Sequence, residues 1–531
     1  MAMLLYLLLA ADLSGTWIAK RETPPGAPAG MRPMESVFTF ERKDGVWAGT
    51  SGSMMGQQKI TDVAVDGDNV RFTVQFALGG EVRAMKYTGK FEGEELVLTM
   101  QPPPGFGPGP GGPPPTGFGP PPDGPPPGGP GMRFGGPMRA KKLTPEEIGA
   151  REAARPKPMP LPAKKTLAWN GLAATPPMGW NSYNKFRTNI TDKEVREIAD
   201  ALVSSGMRDA GYTYLVIDDG WEGERDARGR LQPNSKFPDM KATVDYIHSK
   251  GLKAGLWTSP GPRACNPTYQ GSYGHEEEDS KQWAEWGFDY IKYDWCSAGQ
   301  IYTAEQQPLV YQKMAELLRA TGRPIVLSIC QYGDNKVFEW GPAAGGNLWR
   351  TTFDIRDTWE SMAGIGFRQS DLAQYAKPGH WNDPDMLEVG NGGMTDTEYR
   401  THFTLWAMAA APLMAGNDIR SMNAATKEIL LNREMIAVNQ DKLGKAGRRV
   451  AKWEDTEVWL KPLDRGEYAL ALFNRGAAEA NVKADLTALE LDGSWRARDL
   501  WKHADLPPVS GTFSSVVPSH GVVAVRLTKA K

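Results

Sequence analysis

The sequence predicts a multidomain chain: a central (β/α)8, or TIM, barrel, a C-terminal antiparallel β-sandwich, and a small all-β barrel or sandwich ahead of both. Three observations lead there. At 531 residues the chain exceeds one ordinary domain and suggests roughly two to four. Between residues 166 and 445, apolar strand patterns alternate eight times with amphipathic helical ones, the period and size of a (β/α)8 barrel. On either side the pattern falls to short alternating runs divided by turn residues, as antiparallel sheets require.

Residues 1–12 carry an apolar run, Met3 to Ala11, that ends in small residues. It reads as an export signal lacking its basic n-region, and a buried first strand is the other reading. The run is far shorter than the ~20 residues of a membrane span, and no other stretch qualifies. Residues 13–145 give SVFTFER, VWAGTSG, VRFTVQF, AMKYTGKF and LVLTMQ, an all-β domain. Within it, 102–137 is nearly all Pro, Gly and Phe and cannot bury a core. MRAKKLT (138–144) then resumes a strand pattern, so that stretch is expected to be a loop inserted in the β domain, with an interdomain linker as the alternative. Residues 146–165, rich in Lys, Arg and Pro, read as a connector.

The barrel occupies 166–445. Its strands are expected at Trp180-Asn181, YLVIDDGW (214–221), AGLWTS (254–259), YIKYDWC (290–296), PIVLSICQ (324–331), LWRTTFDI (348–355), HWNDPDML (380–387) and APLMAG (411–416). Helical periodicity lies between them, for example over 192–211 and 308–322. A doubly wound sheet competes, but no Gly-rich phosphate loop joins the first strand to its helix. Residues 446–531 return to short strands (VWLKPL, YALALFN, VVAVRL), a C-terminal β-sandwich.

Composition narrows the chemistry. A net charge of −2 gives no pull toward nucleic acid or anionic lipid. The 18 Trp and 16 Tyr suit sugar-stacking platforms or an aromatic-rich core. Three cysteines, Cys265, Cys296 and Cys330, fit no zinc spacing and allow one bridge and one thiol in an exported chain. Only six His occur, none in a metal-ligand pattern, and no Ser–His pairing stands out. No metal or organic cofactor is implied.

What remains collects where barrel strands end. Strand 2 supplies Asp218, Asp219 and Trp221, and strand 3 Trp257. Lys292 and Asp294 come from strand 4, Gln331 and Tyr332 from strand 5, Arg350 and Asp354 from strand 6, and Trp381, Asp383 and Asp385 from strand 7. In a (β/α)8 barrel these ends form one mouth, where active sites lie. A single Asp there is as readily an N-cap or turn residue, but a rim of them is not. Carboxylates, cations and aromatics without metal ligands suit sugar recognition and a two-carboxylate displacement at an anomeric carbon. Asp294 has the features of a nucleophile, because Lys292 two residues earlier shares its face and favours the ionised form. A structural ion pair between the two is the alternative. Asp354 is the candidate proton donor across the mouth.

These stretches resemble glycoside hydrolase family 27, the retaining, melibiase-type α-galactosidases of clan D. The matching pieces are TPPMGWNSYNKF (175–186), YLVIDDGW, YIKYDWC, RTTFDI (350–355), GHWNDPDML (379–387), APLMAGNDIRSM (411–422) and MIAVNQDKLGK (435–445). The first 145 residues are outside the resemblance and look more like a calycin-type or other small β domain. The resemblance implies that Asp294 is the nucleophile and Asp354 the acid/base. It implies that Asp218 and Asp219 hold the 4- and 6-hydroxyls of galactose, that Lys292 and Arg350 hold sugar hydroxyls, and that Asp385 lies near the acid/base. Trp180, Tyr183 and Trp257 match aromatic walls, and Cys265 and Cys296 match a family disulfide.

Three positions depart from the family pattern: Tyr183 and Trp295 are unusual, and CQYG (330–333) replaces a CEW-type loop. Gln331 is expected to bond a 2-hydroxyl, which leaves N-acetylgalactosamine, β-L-arabinopyranose and isomaltosyl substrates open. Trp295 is expected to turn outward into packing. The expected protein is therefore an exported, secreted or periplasmic, exo-acting α-galactosidase. Its partners are α-galactoside oligosaccharides or polysaccharide side chains, with no nucleic acid and no membrane span; nothing in the sequence bears on oligomeric state. A barrel that binds sugar without chemistry is the reading from another class.

Overall fold

The computed structural model describes residues 12–20, 35–53, 56–78, 81–101 and 137–530. Residues 1–11 of the expected export segment and 102–136 of the Pro/Gly stretch lie outside them. The chain forms two compact units: one reaches Met159 and includes Trp295–Ala304, and the other holds Pro160–Asp294 and Glu305 onward.

In the first unit eight strands run as an antiparallel meander: β1 (Gly15–Lys20), β2 (Glu35–Lys43), β3 (Val46–Ser53), β4 (Gly56–Asp66), β5 (Asn69–Leu78), β6 (Glu81–Glu92), β7 (Glu95–Gln101) and β8 (Met138–Lys142). They form a closed barrel rather than a sandwich, because β8 pairs with both β7 and β1. Inward positions alternate along the strands, as in Phe38 and Phe40, Phe72 and Val74, Leu96 and Leu98. Phe72 stacks on Tyr87 with ring centroids 4.8 Å apart, and Phe38 meets both edge-on at 5.3 and 5.4 Å. An eight-stranded barrel is just wide enough for side chains to fill, and here aromatics fill it.

The expected connector begins as a helix, α1 (Pro145–Ala154). Thr144 caps it, accepting from Glu147 N, while the Glu147 carboxylate accepts from Thr144 N, a capping box with Pro at the first turn. Beyond Arg155 the chain has neither helix nor strand until Met178. Arg155 Nε donates to Gln300 O at 2.6 Å within this unit, and Trp295 is buried with its ring 6.3 Å from Tyr302. Trp295 packs on Tyr302 of this unit, rather than in the strand–helix packing expected of it.

The second unit holds eight parallel strands: β9 (Met178–Asn181), β10 (Tyr214–Ile217), β11 (Lys253–Thr258), β12 (Tyr290–Asp294), β13 (Val326–Cys330), β14 (Leu348–Arg350), β15 (Trp381–Asp383) and β16 (Leu413–Ala415). Their order is β15-β14-β13-β12-β11-β10-β9-β16. Leu387, just past β15, pairs in parallel with Ala415 and brings the two ends of the curled sheet together. Helices α2 (Asp192–Ser204), α3 (Met240–Ser249), α4 (Glu276–Trp286), α5 (Gln307–Ala320), α6 (Trp359–Gly366) and α7 (Asp396–Met408) follow the strands. The helical pattern expected over 192–211 is broken at Gly206, whose φ of 83° ends α2. The last three strands have three residues each, and β15 ends where Pro384 follows it and Asp385 takes a φ of 86°.

C-terminal strands β17 (Arg448–Trp453), β18 (Thr456–Pro462), β19 (Tyr468–Asn474), β20 (Ala480–Asp485), β21 (Trp495–Asp499), β22 (Ala504–Asp505), β23 (Thr512–Val517) and β24 (Val522–Lys529) form two antiparallel sheets. Val458, Leu470, Leu472, Phe513 and Leu527 are buried in the core they share. Among the described residues no helix is long and apolar enough to cross a membrane.

Filling of the N-terminal barrel is testable. Phe38→Ala is expected to destabilise that unit by about 3–5 kcal/mol, read by chemical denaturation of the full chain. A loss below about 1 kcal/mol would show that the interior is not close-packed there.

Candidate active site

Period-2 geometry divides β12 cleanly. Tyr293 points to the helical layer, where its ring meets Tyr311 of α5 edge-on at 5.8 Å. Lys292 and Asp294 therefore point the other way, into the barrel. Asp294 is buried, and each of its oxygens accepts from a neutral donor: Trp257 Nε1 at 3.1 Å on Oδ2 and the Tyr332 hydroxyl at 2.6 Å on Oδ1. Burial pushes its proton affinity above the ordinary carboxylate range. The Lys292 charge and the two hydrogen bonds work against that, and Asp354 adds to it.

Lys292 lies on the same face as Asp294, but its ammonium sits 3.0 Å from Asp218 Oδ2. That oxygen also accepts from Asn181 Nδ2 at 2.7 Å, while Asp218 Oδ1 accepts from Asp219 N at 3.0 Å. The Asp218 amide donates to Ser182 Oγ at 2.9 Å. Residues from β9, from the end of β10 and from β12 thus meet in one hydrogen-bonded set. Asp219 accepts from Asn266 N through Oδ2, and among the described residues its buried Oδ1 has no hydrogen-bond partner. Burial pushes Asp219 up to about 8, aided by the neighbouring charges of Asp218 and Asp294. Glu222, also buried, is raised first by burial and then by the charges of Asp219 and Asp218.

A second set gathers on Arg350. Its Nη2 lies 3.1 Å from Asp354 Oδ1 and 2.9 Å from Asp385 Oδ2, and it donates to Thr352 O at 3.2 Å. Its Nη1 lies 3.8 Å from Cys330 Sγ. Ile355 N holds Asp385 Oδ2 at 2.8 Å, and Asp383 Oδ1 accepts from Asp385 N at 2.8 Å. Burial pushes Asp383 up to about 6, against the pull of Arg350. The Asp354 side chain is 47 % exposed, unlike the other carboxylates of the rim.

Tyr183 feels the charges of both sets. After burial, the charges of Asp354, Asp219 and Asp218 are what hold its phenol above the ordinary range. Trp180 is fully buried and donates its indole N–H to Asn417 O at 2.7 Å. Gln331 differs from expectation: its amide nitrogen donates to Asp334 O and its oxygen accepts from Gly333 N at 2.6 Å. The side chain is folded into its own turn, and the next residue, Tyr332, reaches Asp294 instead. Tyr332 has a φ of 65°, a strained conformation for a bulky residue, for which a functional constraint is a physical reason. Asn181 and Ser182, inside the quoted WNSY stretch, are further site members that residue type alone did not single out.

Cys265 and Cys296 are disulfide-bonded and Cys330 is a buried free thiol. The bridge leaves those two sulfurs no thiolate to offer a metal ion.

The raised carboxyl of Asp219 implies a pH dependence. A carboxyl that binds its proton more tightly in the folded state stabilises the fold fully below its ordinary range near 3.8. That contribution is lost as the pH rises to about 8. The substrate-free protein is expected to fall in Tm across this window, and Asp219→Asn to fall less. Parallel Tm profiles for the two proteins would contradict this.

The profile of the family described as Alpha galactosidase A matches residues 175–441, and that of the Alpha galactosidase C-terminal beta sandwich domain matches 454–527. Alpha-galactosidase 2 of Arabidopsis thaliana is 47 % identical over 372 residues, covering 69 % of this chain and 93 % of that protein. The crystal structure of alpha-galactosidase I from Mortierella vinacea superposes with a TM-score of 0.66 at 36 % identity, covering 68 % of this chain and 99 % of that one. The alpha-galactosidase of Saccharomyces cerevisiae determined with raffinose gives 0.64 at 28 % identity, over 68 % and 99 %. With its strand-end carboxylates in one barrel mouth and both profiles matched in order, the chain belongs to the melibiase-type alpha-galactosidase family, glycoside hydrolase family 27.

Proposed function

We propose that this chain is a retaining, exo-acting α-galactosidase that releases terminal α-D-galactosyl residues from oligosaccharides or polysaccharide side chains. The observation that carries the reading is the paired suspension of Asp294 from Trp257 and Tyr332. It leaves a buried carboxylate aimed by two neutral donors, with a more exposed carboxyl, Asp354, held on Arg350.

In the first step Asp294 attacks the anomeric carbon and forms a C–O bond as the glycosidic C–O bond breaks. Asp354 delivers its proton to the departing oxygen. In the second step Asp354 takes a proton from water, whose oxygen displaces Asp294 and restores the anomeric configuration. Asp218 and Asp219 are assigned to the 4- and 6-hydroxyls. The axial 4-hydroxyl separates galactose from glucose, and one of these carboxyls, Asp219, has an oxygen without a partner among the described residues. Lys292, Arg350 and Asp385 complete the hydroxyl contacts, and Trp180, Tyr183 and Trp257 the walls. The disulfide supports an oxidising, exported location.

Asp294→Ala is expected to abolish turnover of an aryl α-galactoside, and full activity would sink the assignment. Asp354→Ala should lose far less activity with very good leaving groups than with natural substrates. Proton NMR of the first-formed sugar should show the α-anomer, and the β-anomer would replace double with single displacement. A panel of aryl α-Gal, α-GalNAc, β-L-Arap and α-Glc substrates decides the sugar, with α-Gal expected to lead. No turnover of any would favour the binding-only reading.

A further inference from the structure

Few large hydrophobic side chains are exposed among the described residues. Phe353, at 38 %, is the one that directly precedes Asp354. Its ring lies 5.2 Å from that of Tyr332 at an interplanar angle of 40°. Tyr332 in turn places its hydroxyl on Asp294 Oδ1. The two rings make one aromatic surface that begins at the proposed nucleophile and ends beside the proposed proton donor.

The backbone is built to bring them together. A Cβ on Gly333 would stand 2.0 Å from Thr351 O, so the turn after β13 presses directly on the segment leaving β14. Only glycine permits that approach, and its φ of 81° is one that side chains disfavour. Tyr332, immediately before it, adopts φ 65°. The residue just before that approach, Tyr332, is the one whose ring meets Phe353.

The chemistry of the proposed reaction says what meets this surface. The leaving oxygen is the atom that Asp354 protonates, so the group bonded to that oxygen lies on the Asp354 side, away from Asp294. An exposed flat ring there matches the apolar C–H face of a pyranose or an aryl ring. We propose that Phe353, seated on Tyr332, is a platform for the leaving group, a subsite selecting aglycones that present a ring face. The inference rests on the α-galactosidase reading above and adds a specificity-determining residue to it.

The test compares leaving groups in the full chain. Melibiose and an aryl α-galactoside carry a ring on the leaving oxygen, whereas α-galactosyl fluoride releases a single atom. Phe353→Ala is expected to lower kcat/KM about three- to tenfold for the two ring-bearing substrates, mainly through KM. It should leave galactosyl fluoride within about twofold, and Phe353→Trp should restore the ring-bearing substrates. Tyr332→Phe, which keeps the ring but removes the hydroxyl from Asp294, should slow all three. Equal losses on fluoride and melibiose in Phe353→Ala would mean that the ring merely props Tyr332, and no loss on any substrate would mean that it touches nothing; either overturns the proposal. A wild-type chain inert toward all three substrates would instead remove the parent reading, and this inference with it.

Discussion

A carboxylate taken out of water at the end of β12 is the constraint around which the barrel mouth is organised. Left alone, an ionised Asp294 at that depth would cost several kcal/mol. Two neutral donors and one cation offset the cost, and each needs support of its own. Trp257 comes from β11, and its backbone oxygen is held by Trp221 Nε1 at 2.9 Å. Lys292 is itself largely withdrawn from solvent and is paired with Asp218, which Asn181 and Ser182 hold in turn. Four adjacent strands must keep their parallel register for one carboxylate to be tolerable. Lys292 stands level with Trp257 on one side and Ser328 on the other, which is that register in residues.

The other half of the rim solves a similar problem with a single guanidinium. Arg350 is buried and contacts both Asp354 and Asp385, while Asp383 and Cys330 feel its charge. A planar fork suits that sharing better than an ammonium would. Even so, the buried carboxyls of the mouth outnumber Lys292 and Arg350. The excess shows as raised proton affinity: Asp219 is pushed up to about 8 and Asp383 up to about 6, each chiefly by burial. A mouth that holds protonated and ionised carboxyls together can both donate to and accept from sugar hydroxyls, which each have a proton and lone pairs.

Much of this was legible because barrel strands announce themselves twice, by an apolar run and by the polar residues that end it. Asp218, Asp219, Lys292, Asp294 and Arg350 all lie at or just beyond such ends, and the fold gathers them as expected. What was left without its role lies off the periodic elements, including Tyr332, which was placed at the end of strand 5 but given no part. Tyr332 sits in a turn where a positive φ, invisible in residue type, decides where its ring goes. Gln331 was expected to bond a 2-hydroxyl because a side-chain amide looks available until its own turn takes both ends. Helix α1 had its signal, Thr144-Pro-Glu-Glu147, but Lys, Arg and Pro content over the surrounding residues read as a connector. Gly206 likewise ends a helix whose apolar period continues beyond it.

The proposed nucleophile and proton donor are the same chemical group, and the fold separates their properties by where it places them. Asp294 is the last residue of a five-residue strand, hydrogen-bonded at both oxygens and closed off from solvent. It can do little except point, and an attacking oxygen must be aimed within a fraction of an ångström. Asp354 lies four residues past the end of a three-residue strand, ion-paired with Arg350 and with nearly half of its side chain in solvent. A group that must lose a proton in one step and regain it in the next needs a route to water, and burial like that of Asp294 would deny it one. The short β14, which at first looks like a poorly formed strand, is what releases Asp354 from the sheet early enough to reach that boundary.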